Sequence, residues 1–308
     1  MYFKLSFFLI FMTLFANMNL VNAQEKQIYI DSHTAAKRID DSLKIDRVKV
    51  DGNWVTQKKL KSFIDELINV NDTNNSVFVR WSKPIRYYYE GLDEFPNIQK
   101  EFESLIEEVA IITQKKIIKH NQIFWPIKGG SDYHPDAPGK KYTNVVFIFT
   151  RDMEKVFQSS DFKKFHKLAK IDTDKTLSNW KAKNDDSGDD RMVTDISNKN
   201  GLIYYHSIND VREILGDGNK NLGKQKSYFR AVIFWMMLAN PGLSRSNSLT
   251  PSLVNFDGKK TDLQIFNQLD TELLKAYYGK VYIGVNKNFA AKQLFQNLWL
   301  SLTSFDKQ

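Results

Sequence analysis

Residues 231–238, Ala-Val-Ile-Phe-Trp-Met-Met-Leu, constrain the fold more than any other stretch of this chain. A helix through them is apolar on every face, and a helix with no polar side has no place at a protein surface. It is also too short for a bilayer, which takes roughly 20 apolar residues to cross. The segment therefore belongs in an interior, with other elements covering it. Pro241-Gly242 stops it on the C-terminal side, and Gly223 precedes it.

The rest of the chain supplies the cover. Leu60, Phe63, Ile64, Leu67 and Ile68 recur at helical spacing after Thr56, a hydroxyl suited to an N-cap. Ile98, Phe102, Leu105, Ile106, Val109 and Thr113 mark one face of a helix that starts near Pro96. Met153–Ile171, a segment from about Lys260 to Tyr278, and Lys287–Thr303 read as further helices. Short strands are expected at Arg47–Val50, around Trp54, at Val77–Trp81 and at Ile85–Tyr89. Asn144–Thr150 is apolar on both faces and reads as a central strand. Arg191–Ser197 and Leu202–Ser207 flank Asn200-Gly201, a pair that favours a tight hairpin turn. Lys128–Lys141 and the polar stretch Lys181–Asp190 read as loops. The order α-β-β-α-β-α-ββ-α-α-α carries no repeat and no long linker. It implies an α+β fold, a small mixed sheet packed against several helices. The expected divisions are 1–23, a lead-in with one helix over 24–74, and a single α+β domain over 75–308.

Residues 1–23 have the three-part order of a cleavable secretory signal. Lys4 charges a short leader, Leu5–Ala16 is apolar, and Val21-Asn22-Ala23 offers a cleavage site between Ala23 and Gln24. The apolar stretch covers about twelve residues, short of a membrane span. A soluble product, periplasmic or secreted, is expected. With 0 Cys in the chain, disulfides, zinc–thiolate sites and a cysteine nucleophile are excluded together, and stability has to come from the core. The net charge of +8 could attract anionic lipid, polysaccharide or nucleic acid. The lysines stand singly or in pairs, however, with no basic–aromatic signature of a nucleic-acid module, so a solvated basic surface is expected.

Chemistry is sparse. His33, His120, His134, His166 and His206 include no pair at i, i+4, the spacing that turns two imidazoles to one metal. Asp132, His134 and Asp136 cluster beside Gly129-Gly130 and form the one polar loop with acid–base potential; a polar turn is the simpler reading. The acidic run Asp185–Asp190 fits no EF-hand register, and no nucleophile-elbow, phosphate-loop or dinucleotide motif occurs. No metal site and no cofactor are called for.

Several short motifs together resemble an uncharacterised bacterial family, number 2927 among the domains of unknown function. They are Val79-Arg80-Trp81-Ser82-Lys83-Pro84-Ile85-Arg86, the strand beginning at Asn144, Thr250–Asn255, and Leu269-Asp270, Leu273-Leu274 and Tyr277-Tyr278-Gly279-Lys280. The resemblance spans roughly residues 75–285 and implies export and a zincin-like core, like that of zinc-dependent metallopeptidases. Family members carry a Glu-rich segment on the helix corresponding to 233–242. Here Phe234 and Trp235 stand where that acidic pair would be, and an apolar side chain can neither bind zinc nor activate water. The resemblance thus implies a scaffold that has lost its reactive centre and binds an envelope or host protein or an anionic polymer. The alternative is a metal-dependent or acid–base hydrolase of the cell envelope, drawing on the 128–141 loop with His166 or His206.

Overall fold

A computed structural model describes residues 37–38, 42–50, 53–69, 78, 80–124, 142–187, 192–199, 202–211, 222–238, 266–279, 281 and 283–305. Its main sheet has five strands: β3 (Ile85–Glu90), β4 (Ile117–Lys119), β5 (Val145–Thr150), β6 (Met192–Lys199) and β7 (Leu202–Asp210), in the order β4-β3-β5-β7-β6. The first four strands of that order run parallel; β6 alone is antiparallel, paired to β7 from Met192↔Asn209 to Lys199↔Leu202. That register leaves two residues between the strands, as Asn200-Gly201 predicts. A separate two-stranded hairpin, β1 (Arg47–Val50) and β2 (Asn53–Thr56), precedes the sheet.

Strand alternation sorts the side chains into two cores. From β5, Val145, Phe147 and Phe149 enter one and Val146 and Ile148 the other, so the strand is buried on both faces. It is central, as its doubly apolar sequence predicts. On the first face lie α1 (Gln57–Asn69), α2 (Pro96–Thr113), α6 (Leu222–Leu238), α7 (Gln268–Gly279) and α8 (Lys287–Phe305), whose apolar residues share the larger core. On the second lie α3 (Met153–Gln158), α4 (Ser160–Ala169) and α5 (Thr173–Ser187). Phe102 of α2 meets Tyr89, Phe147, Phe149 and Phe229 edge-on, with centroids 5.2 to 5.4 Å apart. Each such pair adds about 0.5–1.5 kcal/mol beyond area burial, which ties α2 to strand and helix at once.

The fold is therefore α+β with a mixed sheet, as expected, and it departs from the sequence reading at four places. Val77–Trp81 does not form a strand among its described residues. Phe78 exchanges backbone bonds with Val285 (2.8 Å) and Gly284 (3.1 Å) instead, while Arg80 and Trp81 are spent on helix ends. The helix expected over 153–171 is two helices. Ser159 takes extended backbone, and its hydroxyl accepts from Phe162 N, starting α4 afresh. The loop expected at Lys181–Asp190 is helical to Ser187, because Asp172 caps the start at Lys175 N (3.0 Å) and no Gly or Pro interrupts before Gly188. Strand β4 was not expected; Ile117–Lys119 is short and lies at the sheet edge.

Gly91, just past β3, has φ 87°, and a Cβ there would stand 1.8 Å from the Phe149 carbonyl oxygen. Only glycine allows the chain to leave β3 so close to β5. Gly91→Ala is expected to cost about 3 kcal/mol or more in urea unfolding, combining left-handed strain with overlap against backbone. A loss below about 1 kcal/mol would mean the strand end relaxes freely.

Candidate functional site

The helix named first in the sequence is α6, and the larger core closes around it. Every residue from Ala231 to Leu238 is buried; Phe234 is 0% exposed and Trp235 4%. Phe234 stacks with Phe266 at 6.3 Å. A helix ends with unpaired carbonyls that must find donors when buried. Here Trp81 Nε1 donates to Met236 O at 2.7 Å, Tyr278 OH to Met237 O, and Tyr277 OH to Leu238 O at 2.9 Å. Arg80 in turn donates to Tyr277 O and lies 5.6 Å from the Tyr278 ring. Its charge stands near the negative end of the helix dipole.

Of the short motifs, Thr250–Asn255 lies outside the described residues, and the others meet. Trp81, Tyr277 and Tyr278 finish α6 while Arg80 bonds the end of α7, and Asn144 clamps the Pro84–Arg86 step. Its Oδ1 accepts from Arg86 N at 2.7 Å and its Nδ2 donates to Pro84 O at 3.3 Å, fixing β5 against β3. On the same face of the sheet, Tyr228 of α6 donates to Asn209 Oδ1 (2.8 Å), which also accepts from Ser207 Oγ (3.1 Å). Asn209 Nδ2 donates to Ile148 O at 3.2 Å. This buried network is a structural bridge between helix and strand.

The opposite face holds the chemistry-bearing pair. His166 on α4 and His206 on β7 are both 0% exposed, with His166 Nε2 3.1 Å from His206 Nδ1. His166 Nδ1 lies 2.9 Å from Thr173 Oγ1, and the Phe162 ring covers His166 at 4.0 Å. Burial holds His166 down to about 4; burial, then the neighbouring His166, hold His206 well below the ordinary imidazole value. Both rings are therefore neutral near pH 7, with one proton between the facing nitrogens. His206 Nε2, at the far end, has no hydrogen-bond partner. Asp195 on β6 is the register partner of His206. Burial pushes its carboxyl up, against bonds from Thr176 Oγ1 (2.8 Å) and Ile196 N (2.9 Å).

Of the site residues named from sequence, Ala23, Gln24, Asp132, His134 and Asp136 lie outside the described residues. Phe234 and Trp235 are in the core, and His166 and His206 touch. Among the described residues no group of three or more His, Asp or Glu could hold a metal ion, and no helix is long and apolar enough to cross a membrane. No motif or spacing in the sequence points to Thr173, Thr176 or Asp195. The available signal was periodicity: His206 alternates with buried Tyr204 and Ile208, and His166 continues the stripe Phe162, Phe165, Ala169. Among the described residues the fold is thus α+β, with a sheet of four parallel strands and one antiparallel strand. No family model, no curated protein and no solved structure matches the chain.

Proposed function

We propose that this chain is an exported, non-catalytic binding domain on a degenerate zincin-like core, in which the helix that would carry the reactive groups has become core. The observation that carries this reading is the burial of Phe234 and Trp235, at 0% and 4% exposure, where the resembling family has its acidic pair. The convergence of Trp81, Tyr277 and Tyr278 on the end of that helix supports the likeness. A signal at residues 1–23 delivers the product to the periplasm or beyond.

The alternative, an envelope hydrolase using His166 or His206, draws on their 3.1 Å contact. It is disfavoured because neither ring has any exposed surface from which to meet a substrate. Protein purified from the osmotic-shock fraction is expected to begin at Gln24. It is expected to take up no stoichiometric zinc by calorimetry and to leave peptide and cell-wall substrates uncut. One bound zinc per chain together with cleavage would overturn the non-catalytic reading.

A further inference from the structure

The hairpin β1–β2 turns Val48, Val50 and Val55 inward and leaves the other face open. Its register sets Lys49 opposite Trp54 and Arg47 opposite Thr56, so these four side chains share the outer face. Trp54 is 53% exposed, and the Arg47 guanidinium lies 4.5 Å from its ring centroid. Two other tryptophans show what the core does with an indole: Trp81 and Trp299 bury their rings and donate to Met236 O and Ser42 O. Among the described residues the Arg47, Lys49 and Trp54 side chains make no hydrogen bond and no ion pair with the protein. Over residues 42–61, Lys44, Arg47, Lys49, Lys58, Lys59 and Lys61 stand against two carboxylates, Asp46 and Asp51. Leu43, whose carbonyl accepts from Gln57 Nε2 at 2.9 Å, adds an exposed apolar side chain at the hairpin's open end.

We infer that the outer face of this hairpin docks on an anionic lipid bilayer, Trp54 entering the headgroup layer while Arg47 and Lys49 take lipid phosphates. The charge pattern selects an anionic partner, since each cation near such a surface adds attraction. The indole selects a lipid interface over a dissolved polyanion. Its ring is apolar enough to leave water, and its N–H still finds acceptors among headgroups. Arg47 on the ring covers the indole face while its edge-on donors stay free for phosphate. The arrangement is peripheral attachment, reversible by salt, and does not rest on the reading of α6.

The test uses the purified protein with vesicles of phosphatidylcholine alone and of phosphatidylcholine with a quarter phosphatidylglycerol. Co-sedimentation with the anionic vesicles at low salt is expected, with loss in concentrated salt. Brominated lipid should quench part of the emission of the 6 tryptophans, and Trp54→Ala should abolish that quenching. The double variant R47E/K49E should bind about thirtyfold or more weakly. K163E/K167E, which changes net charge equally on exposed positions of α4, should bind like the parent. Circular dichroism confirms that each variant is folded. Equal losses in both double variants would reduce the effect to net charge and overturn the proposal. Absence of vesicle binding, binding without Trp54 quenching, or binding to a soluble anionic polysaccharide in place of vesicles would overturn it too.

Discussion

Placing an acid back on α6, as Phe234→Glu, is expected to unfold the protein rather than to create a metal site. Phe234 is 0% exposed and stacks on Phe266, so the substitution removes a buried ring and puts a carboxyl among apolar groups. Loss of the ring alone is worth about 3–5 kcal/mol. The buried carboxyl either pays desolvation or protonates, which adds about 1–3 kcal/mol more. The sum approaches the whole stability of an ordinary domain, about 5–15 kcal/mol. The expected readout is loss of the cooperative urea transition, while Phe234→Leu keeps it at a cost of about 1–1.5 kcal/mol. A folded, zinc-binding F234E/W235E protein would contradict the view that α6 is committed to packing.

The second large effect is acid sensitivity. The folded-state values of His166 and His206 both lie below that of a free imidazole, about 6.5. Below pH 6.5 the unfolded chain therefore binds more protons than the folded one, and stability falls as pH falls. It is fully present above about pH 6.5. It declines toward pH 4, where His166 itself protonates in the folded chain. By this linkage His166 withdraws about 2 kcal/mol between pH 7 and 5, and His206 acts in the same direction. Asp195 and Glu108, pushed up by burial, take up protons more readily when folded and offset part of this. H166L/H206L keeps those carboxyls and removes the imidazoles. Denaturant unfolding at pH 7 and 5 should show a loss of about 2 kcal/mol or more for the parent beyond that of the variant. Equal losses would assign the acid sensitivity to other groups.

Where apolar spacing alone decided an element, it was legible in the chain. The buried stripe of α2 is the stripe its sequence spacing names, from Ile98 to Thr113. Strand β5 announced its central place by being apolar on both faces. Reading failed where one local hydrogen bond outweighed periodicity. Ser159 splits what looks like one helix, and Asp172 starts a helix in a stretch whose polarity suggests a loop. At Phe78–Trp81, aromatic content reads as strand, yet the indole of Trp81 serves a carbonyl 155 residues away. The histidine pair illustrates the limit more sharply. His166 and His206 are 40 residues apart, and only the packing of α4 on β7 makes them neighbours, so no spacing rule could join them. Fold class follows from patterns within segments; the site follows from contacts between them.

The bond from Trp299 Nε1 to Ser42 O joins residues 257 apart, and α1 and α8 share one core. During synthesis, the segment that emerges early cannot complete its packing until the final helix has been made. Until then Leu60, Phe63, Ile64 and Leu67 lack part of the surface that buries them. A chain in which residue 42 waits for residue 299 stays unlocked until α8 has been made, since so distant a contact carries a large loop entropy. If the chain is exported, as proposed, such a delay keeps it open for threading through a membrane. Helix α8 acts as a latch that closes over α1.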